Sequence, residues 1–437
     1  MKEVALKKVM FLAQWMGSQV HLRSMRDSFI TLIPFLVLSG MMILINNVVI
    51  NPGGIMSGFT ADAVLRNWQT IGEKVVNGTM NILGLLIAIL FSFNLARNRQ
   101  FINPLMASLV TVSCLFVLLP IINTFSALEG GELVSIKGAA PYALLGTSGT
   151  FVALIGGGLA TELFIGISKN RRLQIRIEGN VPPAVIQSFN TLFAVMITVL
   201  VFAFASWAIV QLFGLELQDL INALIQKPLL GLTTSLPGFL ALDIINNFLF
   251  SLGINPGGIT GAVLDPPLLV AMQQNMDAWA AGRDIPNIIV RPFSDLYGRM
   301  GGTGMTLCLL IAVFIKSRRS EHRSFSRTVI PTTLFNINEP VIFGFPIIFS
   351  PLLMLPFTFV PAILYIIAYY ATVLGWVSKI VVYIPWSVPP LISGYLASGG
   401  DYRNVILQLV LIVLGVLLYL PFLMLYERLL AMQESKI

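Results

Sequence analysis

Long apolar runs that end in short clusters of lysine and arginine restrict the fold of this chain more than any other feature. About 20 apolar residues cross a bilayer as one helix, and such runs lie near 27 to 50, 79 to 96, 102 to 124, 143 to 167 and 183 to 213. Hydrophobic residues make up 56% of the 437 residues and charged residues only 11%, against roughly 45 to 50% apolar in soluble domains. The sequence therefore predicts an all-α polytopic membrane protein.

The basic clusters also indicate an orientation. Lysines and arginines concentrate on alternate sides of the predicted spans, and the positive-inside bias places both the N- and the C-terminus in the cytoplasm. The formal net charge of +7 comes from these clusters, so it does not indicate a nucleic-acid partner. Residues 1–26 are expected to form an amphipathic cytoplasmic segment rather than a signal peptide.

Beyond residue 213 the apolar runs are shorter and are interrupted by turn-forming sequences. Asn-Pro-Gly-Gly at 255–258 and Asn-Glu-Pro at 338–340 are examples, and interrupted segments of this kind are typical of transport sites. We expect re-entrant hairpins after residue 252 and around 338 to 350, and about ten transmembrane helices in all. The remaining helices are expected near 236 to 252, 301 to 316, 351 to 374 and 404 to 426.

The change of pattern near residue 214 predicts a division into two halves. Residues 27–213 would form a regular N-terminal domain, and residues 236–437 a C-terminal domain that carries the substrate site. Between them, residues 214–235 alternate between apolar and polar residues in part, which is typical of a helix that lies in the membrane interface. Such a linker would allow one half to move against the other.

Glu339 is the leading candidate for a catalytic or substrate-binding residue. An ionisable residue at membrane depth costs about 2.5 to 3.5 kcal/mol and usually faces a cavity or solute path. Pro340 disfavours helical dihedrals at Glu339, so the chain is expected to break here. The neighbouring amides of Asn336 and Asn338 can both donate to and accept from hydroxyls, as a sugar requires. The alternative is a carboxylate that caps a helix or pairs with a buried arginine.

Four further residues are candidates for substrate binding: Asn247, Asn255, Thr303 and Trp386. Pro256 keeps Asn255 out of a helix, and Thr303 lies in a glycine-rich stretch where backbone can approach a solute closely. A tryptophan face can pack on a sugar ring. The alternatives are interhelical hydrogen bonding for Asn247, helix packing for the glycine-rich stretch, and an interfacial anchor for Trp386.

The sequence offers nothing for a metal or a cofactor. Cys114 and Cys308 lie in separate apolar stretches, and His21 and His322 lie among arginines. No cluster with the spacing of metal ligands results, and no Ser, His and Asp set for hydrolysis is indicated. We therefore expect no metal site and no cofactor.

Residues Phe335 to Pro351, which include Asn-Ile-Asn-Glu-Pro-Val-Ile-Phe-Gly-Phe-Pro, closely resemble a family signature. It belongs to the membrane EIIC components of the phosphoenolpyruvate-dependent sugar phosphotransferase system, in the lactose/cellobiose branch. The resemblance extends to the first span at Leu22 to Ile45 and the Gly-Gly-x-Gly helix start at Gly301 to Leu310. It also includes the tryptophan-containing segment Pro385 to Gly400.

The resemblance implies an elevator-type EIIC permease in a bacterial inner membrane, which is a homodimer with an N-terminal interface domain and a C-terminal transport domain. The implied substrate is a β-disaccharide or an aryl-β-glucoside, similar to cellobiose or chitobiose. Asn338 and Glu339 would hold sugar hydroxyls, with Glu339 near the hydroxyl that a separate EIIB phosphorylates, and Trp386 would lie near the sugar. EIIA and EIIB functions are expected from other chains, because no phospho-accepting nucleophile is recognised in this one.

One position departs from the family pattern. This branch usually has Gly-Ile-His-Gly after the sixth span, whereas this chain has Gly253-Ile254-Asn255-Pro256-Gly257. Asn255 can bond a hydroxyl, but it carries neither a proton nor a charge. Two other functions stay open on the sequence: a proton-coupled sugar transporter in which Glu339 carries the proton, and a sugar-binding membrane receptor without phosphotransfer.

Overall fold

The structure is a computed structural model that describes residues 19–51, 55–126, 133–175, 183–253, 257–345, 347–348 and 350–434. Most of the predicted segment 1–26, and the candidate residue Asn255, lie outside these described residues. The described chain is predominantly helical. This agrees with the sequence, because a backbone inside lipid has to satisfy its own polar groups and the helix does so within one segment.

Most helices in the first half coincide largely with the predicted apolar runs, and Asp62–Asn77 is a helix that no predicted run covers. The helices are α1 (Val20–Leu44), α2 (Asp62–Asn77), α3 (Leu83–Asn98), α4 (Pro104–Val117), α5 (Tyr142–Leu145), α6 (Thr150–Ser168) and α7 (Pro183–Phe213). The start of α4 shows how the sequence sets a boundary. The Asn103 side chain accepts a hydrogen bond from the Met106 backbone N–H at 3.1 Å, and Pro104, which has no N–H, occupies the first turn.

Helices in the second half are shorter and more often interrupted. They are α8 (Leu217–Ile221), α9 (Lys227–Thr234), α10 (Leu236–Ser251), α11 (Gly257–Ala280), α12 (Phe293–Tyr297), α13 (Thr306–Lys316), α14 (Ser320–Leu334), α15 (Glu339–Gly344), α16 (Pro351–Val373), α17 (Ile392–Ala397) and α18 (Tyr402–Glu434). A bend of 79° separates the helical run Leu217–Thr234 from α10. Ser235 lies at this bend and accepts a hydrogen bond from the Gly238 N–H at 3.3 Å, which caps α10.

Six helices among the described residues are long and apolar enough to cross a membrane, or seven if the bent pair is one span. They lie at Val20–Val49, Asp62–Asn98, Thr147–Ser168, Phe189–Phe213, Pro351–Val373 and Tyr402–Met432. Two shorter apolar helices, Pro104–Val117 and Thr306–Lys316, fall below that length. The predicted total of about ten spans stays a prediction.

The structure differs from the sequence analysis at the predicted span 102 to 124. Helix α4 ends at Val117, and the chain then forms strand β1 (Ile122–Ser126), which pairs antiparallel with β2 (Leu133–Lys137). Pro120 explains the end of the helix because it cannot continue the hydrogen-bond ladder. The β-branched residues that follow favour a strand.

The sequence predicts a re-entrant hairpin after residue 252 and no long helix there. From Gly257 onwards the described chain is the continuous helix α11, which contains Pro266 and Pro267. Two adjacent prolines normally predict a helix end. Helices in membrane proteins tolerate them because neighbouring groups satisfy the freed backbone. The two re-entrant hairpins stay predictions.

The described residues divide into two compact units, which differ from the predicted halves in one respect. The first unit contains residues 19–35 and 76–229, and the second contains residues 36–75 and 230–434. Residues 36–75 therefore group with the C-terminal part of the chain. In the first unit, Gly157 allows α6 to approach α4, since an added Cβ would lie 3.1 Å from Thr111 Cγ2.

The second unit has an aromatic core under the candidate site. Phe239 of α10 lies edge-on to Phe293 of α12 and to Tyr365 of α16, with ring centroids 5.7 and 5.0 Å apart. Tyr297 adds a further edge contact to Phe293 at 5.1 Å. All four side chains are fully buried, and such aromatic pairs contribute about 0.5 to 1.5 kcal/mol beyond their buried area. This cluster fixes the positions of α10, α12 and α16.

Candidate functional site

Asn336 joins three segments of the chain. Its side-chain oxygen accepts a hydrogen bond from the Gly301 N–H at 2.7 Å. Its amide nitrogen donates to the carbonyls of Trp386 and Val388 at 2.5 and 3.3 Å. The backbone of Asn336 has a φ of 61°, a left-handed conformation that asparagine tolerates better than most residues. In this structure the Asn336 amide therefore organises backbone, and its predicted contact with sugar stays a prediction.

Asn338 holds the glycine-rich loop in a similar way. Its side chain is only 4% exposed, and its amide donates to the Thr303 carbonyl at 2.7 Å. A Cβ added to Gly302, which has a φ of 94°, would lie 2.3 Å from Asn338 Cγ. Glycine is therefore required at this position both by conformation and by space. The side-chain oxygen of Asn338 keeps its acceptor capacity for a ligand.

Glu339 opens helix α15, with Pro340 in the first turn. Its side chain is exposed, and the described residues contain no hydrogen-bond or ion-pair partner for its carboxylate. A carboxylate in the first turn of a helix is stabilised by the helix dipole. The pairing with a buried arginine that the sequence left open does not occur within the described part of the chain. Glu339 thus presents free acceptor oxygens next to the loop that Asn338 fixes.

A polar cavity of about 160 Å³ lies beside this loop. Its wall includes two arginines and an aspartate, three hydroxyl-bearing residues, one amide and two phenylalanines. These are Arg291, Arg299, Asp265, Thr260, Ser294, Thr303, Asn246, Phe239 and Phe250. Apolar walls with a few convergent polar groups are typical of small-molecule sites. Thr303 connects the cavity with the signature segment, because its carbonyl accepts the Asn338 bond.

The charged groups of the cavity are paired with each other. Arg299 Nη2 lies 2.6 Å from Asp243 Oδ1, and Arg291 Nε lies 2.7 Å from Asp265 Oδ1. Asp295 completes the set at 3.0 Å from Arg291 Nη1. Three carboxylates and two guanidiniums thus form two groups of ion pairs, and buried charges of this kind require such partners.

One donor in this network has no partner among the described residues: Nε of Arg299 is buried and unbonded. An unsatisfied buried donor costs about 1 to 3 kcal/mol, and it lies on a side chain that lines the cavity. A hydroxyl oxygen of a ligand would satisfy it. The indication that the cavity suits a polar solute is the combination of this donor with the hydroxyl, amide and charged side chains of the wall.

Asn247 lies behind the cavity rather than in its wall. Its amide donates to Asp243 Oδ2 at 2.8 Å, and its oxygen accepts from Asn246 at 3.2 Å. Asn246 in turn accepts from the Thr260 hydroxyl at 2.7 Å. Asn246 lines the cavity, whereas Asn247 positions Asp243. The predicted contact of Asn247 with substrate stays a prediction.

Trp386 is joined to the signature segment through its backbone. Its carbonyl accepts the Asn336 bond, and its side chain is 41% exposed.

The sequence analysis did not name Arg291, Arg299 or Asp265 as site residues. The signal was present, since charged residues within apolar stretches are functional candidates by default, but their pairing depends on the fold.

Comparisons with known proteins define the class of this molecule. The family described as "Phosphotransferase system, EIIC" matches residues 26–361, which is more than half of the chain. The chain belongs to this family of membrane permease components. Its multi-pass membrane character and its EIIC fold, both predicted from the sequence, are confirmed.

Three relatives give the comparison more detail. The lichenan permease IIC component of Bacillus subtilis (strain 168) is 30% identical over 98% of this chain and 93% of its own length. A cellobiose-specific EIIC component of Geobacillus stearothermophilus is 30% identical over 98% of this chain and 94% of its own length. The crystal structure of ChbC, the IIC component from the N,N'-diacetylchitobiose-specific phosphotransferase system, is 32% identical, superimposes with a TM-score of 0.90 and covers 98% of both chains.

Proposed function

We propose that this chain is the permease of a sugar phosphotransferase system for a β-linked disaccharide or a short β-linked oligosaccharide. The observation that carries the proposal is the polar cavity whose wall includes Thr303, the residue that Asn338 holds, in a chain that is similar along nearly its whole length to permeases for lichenan, cellobiose and diacetylchitobiose. These three sugars share β-glycosidic linkages. An aryl-β-glucoside offers the same linkage and belongs to the proposed substrate class.

The cavity and Glu339 would contact different parts of the sugar. A volume of about 160 Å³ is below the roughly 300 to 1,000 Å³ of typical ligand pockets, so the cavity holds part of a disaccharide. Arg299 would donate to a sugar oxygen there, and the Thr260 hydroxyl, which already donates to Asn246, would accept from a sugar hydroxyl. The rest of the sugar would extend along Thr303 to Glu339, whose carboxylate accepts a bond from the hydroxyl that is to be phosphorylated. The exposed ring of Trp386 would cover an apolar sugar face.

Phosphorylation requires partners, because this chain is proposed to supply only the sugar. A separate phosphorylated EIIB would transfer its phosphoryl group to the sugar oxygen, and a separate EIIA would recharge EIIB from phosphoenolpyruvate by way of the general phosphotransferase proteins. Glu339 would orient the hydroxyl and favour the loss of its proton as the new P–O bond forms. A bacterial inner membrane with both termini in the cytoplasm would place this step where EIIB is available.

Movement of one domain against another is proposed for the transport step. The division of the described residues into two compact units supports this proposal. Residues 27–213 would form the scaffold of a homodimer, residues 214–235 the linker and residues 236–437 the moving part, although residues 36–75 group with the last of these. Native mass spectrometry of the purified protein tests the dimer, for which a mass near 96 kDa is expected, about twice the 47.8 kDa of one chain.

The function is tested by uptake of radiolabelled cellobiose and diacetylchitobiose into vesicles that contain the purified permease. Sugar phosphate should accumulate inside only when EIIA, EIIB, the general phosphotransferase proteins and phosphoenolpyruvate are present. A proton ionophore should leave this accumulation unchanged. Accumulation of unmodified sugar that the ionophore abolishes would instead establish a proton-coupled transporter. Binding of sugar without flux under either condition would establish a receptor.

A further inference from the structure

A basic cleft lies between the end of α13, the start of α14 and the last turns of α18. Its volume is about 730 Å³. We call this surface the basic cleft and define it by Lys316, Arg318, Arg319, Ser320, Glu321, Met424, Glu427, Arg428 and Ala431. Four of these residues are cationic and two are acidic. The proposed sugar site uses none of them.

One of the two acidic residues is already engaged by contacts of its own. The Glu427 carboxylate accepts hydrogen bonds from the Ser317 hydroxyl and the Arg318 backbone N–H, and it lies 2.9 Å from His322 Nδ1. The side chains of Lys316, Arg318 and Arg428 are exposed and have no acidic partner among the described residues. The cleft therefore offers several free cations to an anion.

The cleft also has an apolar side. Met424 and Ala431 form part of its wall, and the adjoining surface of α18 exposes Leu425 and Leu429 by 46% and 44%. This surface belongs to a helix that is apolar enough to cross a membrane. Lys316 likewise ends the apolar helix α13. The cleft thus lies where two apolar helices end in positive charge, on the side that the positive-inside bias predicts to be cytoplasmic.

We propose that the basic cleft binds an anionic phospholipid. The phosphate of the headgroup would contact Arg318 and Arg428, and the acyl chains would lie along the exposed apolar face of α18. Basic pockets between the ends of transmembrane helices bind anionic headgroups in this way. The exposed leucines beside the cations favour a lipid, because a phospholipid can place its headgroup against the cations and its acyl chains against the leucines at the same time.

The same contacts connect the cleft with the signature segment. The His322 ring, whose Nδ1 bonds Glu427, lies 4.9 Å from the ring of Phe345, the residue that follows α15. A lipid in the cleft would hold the ends of α14 and α18 together, and this junction supports α15. Lipid binding is therefore expected to raise the melting temperature of the protein.

The experiment compares purified protein in mixed micelles that contain either phosphatidylglycerol or phosphatidylcholine. Phosphatidylglycerol should raise the melting temperature, and phosphatidylcholine should not. In the variant Arg318→Gln/Arg428→Gln, the affinity for phosphatidylglycerol should fall by about thirtyfold, since each basic residue near a membrane surface contributes about 1 kcal/mol, or about fivefold. The control Arg323→Gln/Arg327→Gln removes two exposed arginines of α14 outside the cleft and should retain the affinity.

Several outcomes would overturn the proposal: equal stabilisation by phosphatidylcholine, an equal effect of inorganic phosphate alone, or unchanged affinity in the cleft variant. Loss of EIIB binding in that variant with unchanged phosphatidylglycerol affinity would assign the cleft to the protein partner instead.

A second measurement does not depend on whether the variant folds. Photoactivatable phosphatidylglycerol bound to the unmodified protein should label peptides around residues 424–431, and labelling confined to other regions would contradict the proposal.

Discussion

Two polar regions of the molecule bury their polar groups in opposite ways. In the first unit, the hydroxyls of Ser92, Thr111 and Thr161 bond each other at 2.7 to 3.1 Å between α3, α4 and α6. In the second unit, the cavity has charged groups and the unbonded Nε of Arg299. The first cluster is neutral and complete, so it only has to hold helices together. The second combines charged groups with a cavity that polar side chains line, and this combination is typical of a ligand site.

The largest effect on stability is expected from Arg299→Gln. This change leaves Asp243 buried without its ion partner, which costs about 3 to 5 kcal/mol. The double variant Asp243→Asn/Arg299→Gln removes both charges and should recover most of the stability but not sugar binding. Thermal unfolding of the purified proteins measures the first quantity, and a sugar titration measures the second. Full sugar binding in the double variant would show that Arg299 stabilises the fold and does not contact the sugar.

The next largest effect concerns transport. Glu339→Gln should lower phosphoenolpyruvate-dependent uptake by about 10- to 100-fold, because a hydrogen bond to a charged group contributes about 1.5 to 3 kcal/mol. Membrane insertion should be unchanged and the melting temperature should fall only slightly, since Glu339 is exposed and the helix dipole contributes about 0.3 to 1 kcal/mol at such a position. The matched control is Glu73→Gln, another exposed glutamate. Normal uptake by Glu339→Gln would show that the site assignment is wrong.

Gly302→Ala tests the glycine-rich loop that Asn338 holds through the Thr303 carbonyl. The added Cβ would lie 2.3 Å from Asn338 Cγ on a backbone with a φ of 94°, and steric strain of this kind costs about 1 to 3 kcal/mol. Gly166→Ala is the control, because an added Cβ there meets nothing within 4 Å and alanine favours a helix. Denaturation midpoints of the two variants give the comparison. Equal stability would mean that the loop can move away from Asn338.

The smallest effect is expected in the first unit. Thr161→Val removes a hydroxyl that lies 2.7 Å from both Ser92 Oγ on α3 and the Gly157 carbonyl of its own helix, and whose single proton is donated to one of them at a time. The loss should be about 1 kcal/mol, because hydrogen bonds between membrane helices average about 0.6 kcal/mol each. Sugar affinity should not change. A large loss of sugar affinity in this variant would remove the functional contrast between the two regions.

The sequence predicted the importance of the signature segment but not the geometry that it forms. A carboxylate beside a proline in an apolar chain is visible directly, as are the amides of Asn336 and Asn338. Their bonds to Gly301 and Thr303 cross 35 residues, so no local pattern reveals them. The ion pair of Asp243 and Arg299 spans 56 residues and depends on the packing of α10 against the glycine-rich loop. Local chemistry indicated which residues were unusual, and the fold determined which of them meet.

Helix boundaries show the same limit. The predicted spans 183 to 213 and 351 to 374 agree closely with α7 and α16. A long apolar run inside a membrane has to form a helix, because only then are its backbone polar groups satisfied within the segment. Helix α11 was missed because Pro266 and Pro267 resemble a break. Whether prolines end a helix depends on the groups that surround them, and those groups come from distant parts of the chain.

The most direct test of the account is the sugar-dependent shift in melting temperature of the purified protein. A ligand that binds only the folded state stabilises it according to its occupancy. Cellobiose or diacetylchitobiose should raise the melting temperature of the unmodified protein, and the shift should be strongly reduced in Glu339→Gln and in Asp243→Asn/Arg299→Gln. The absence of a shift with any β-linked sugar, or a full shift in both variants, would contradict the claim that the cavity and Glu339 form one sugar site.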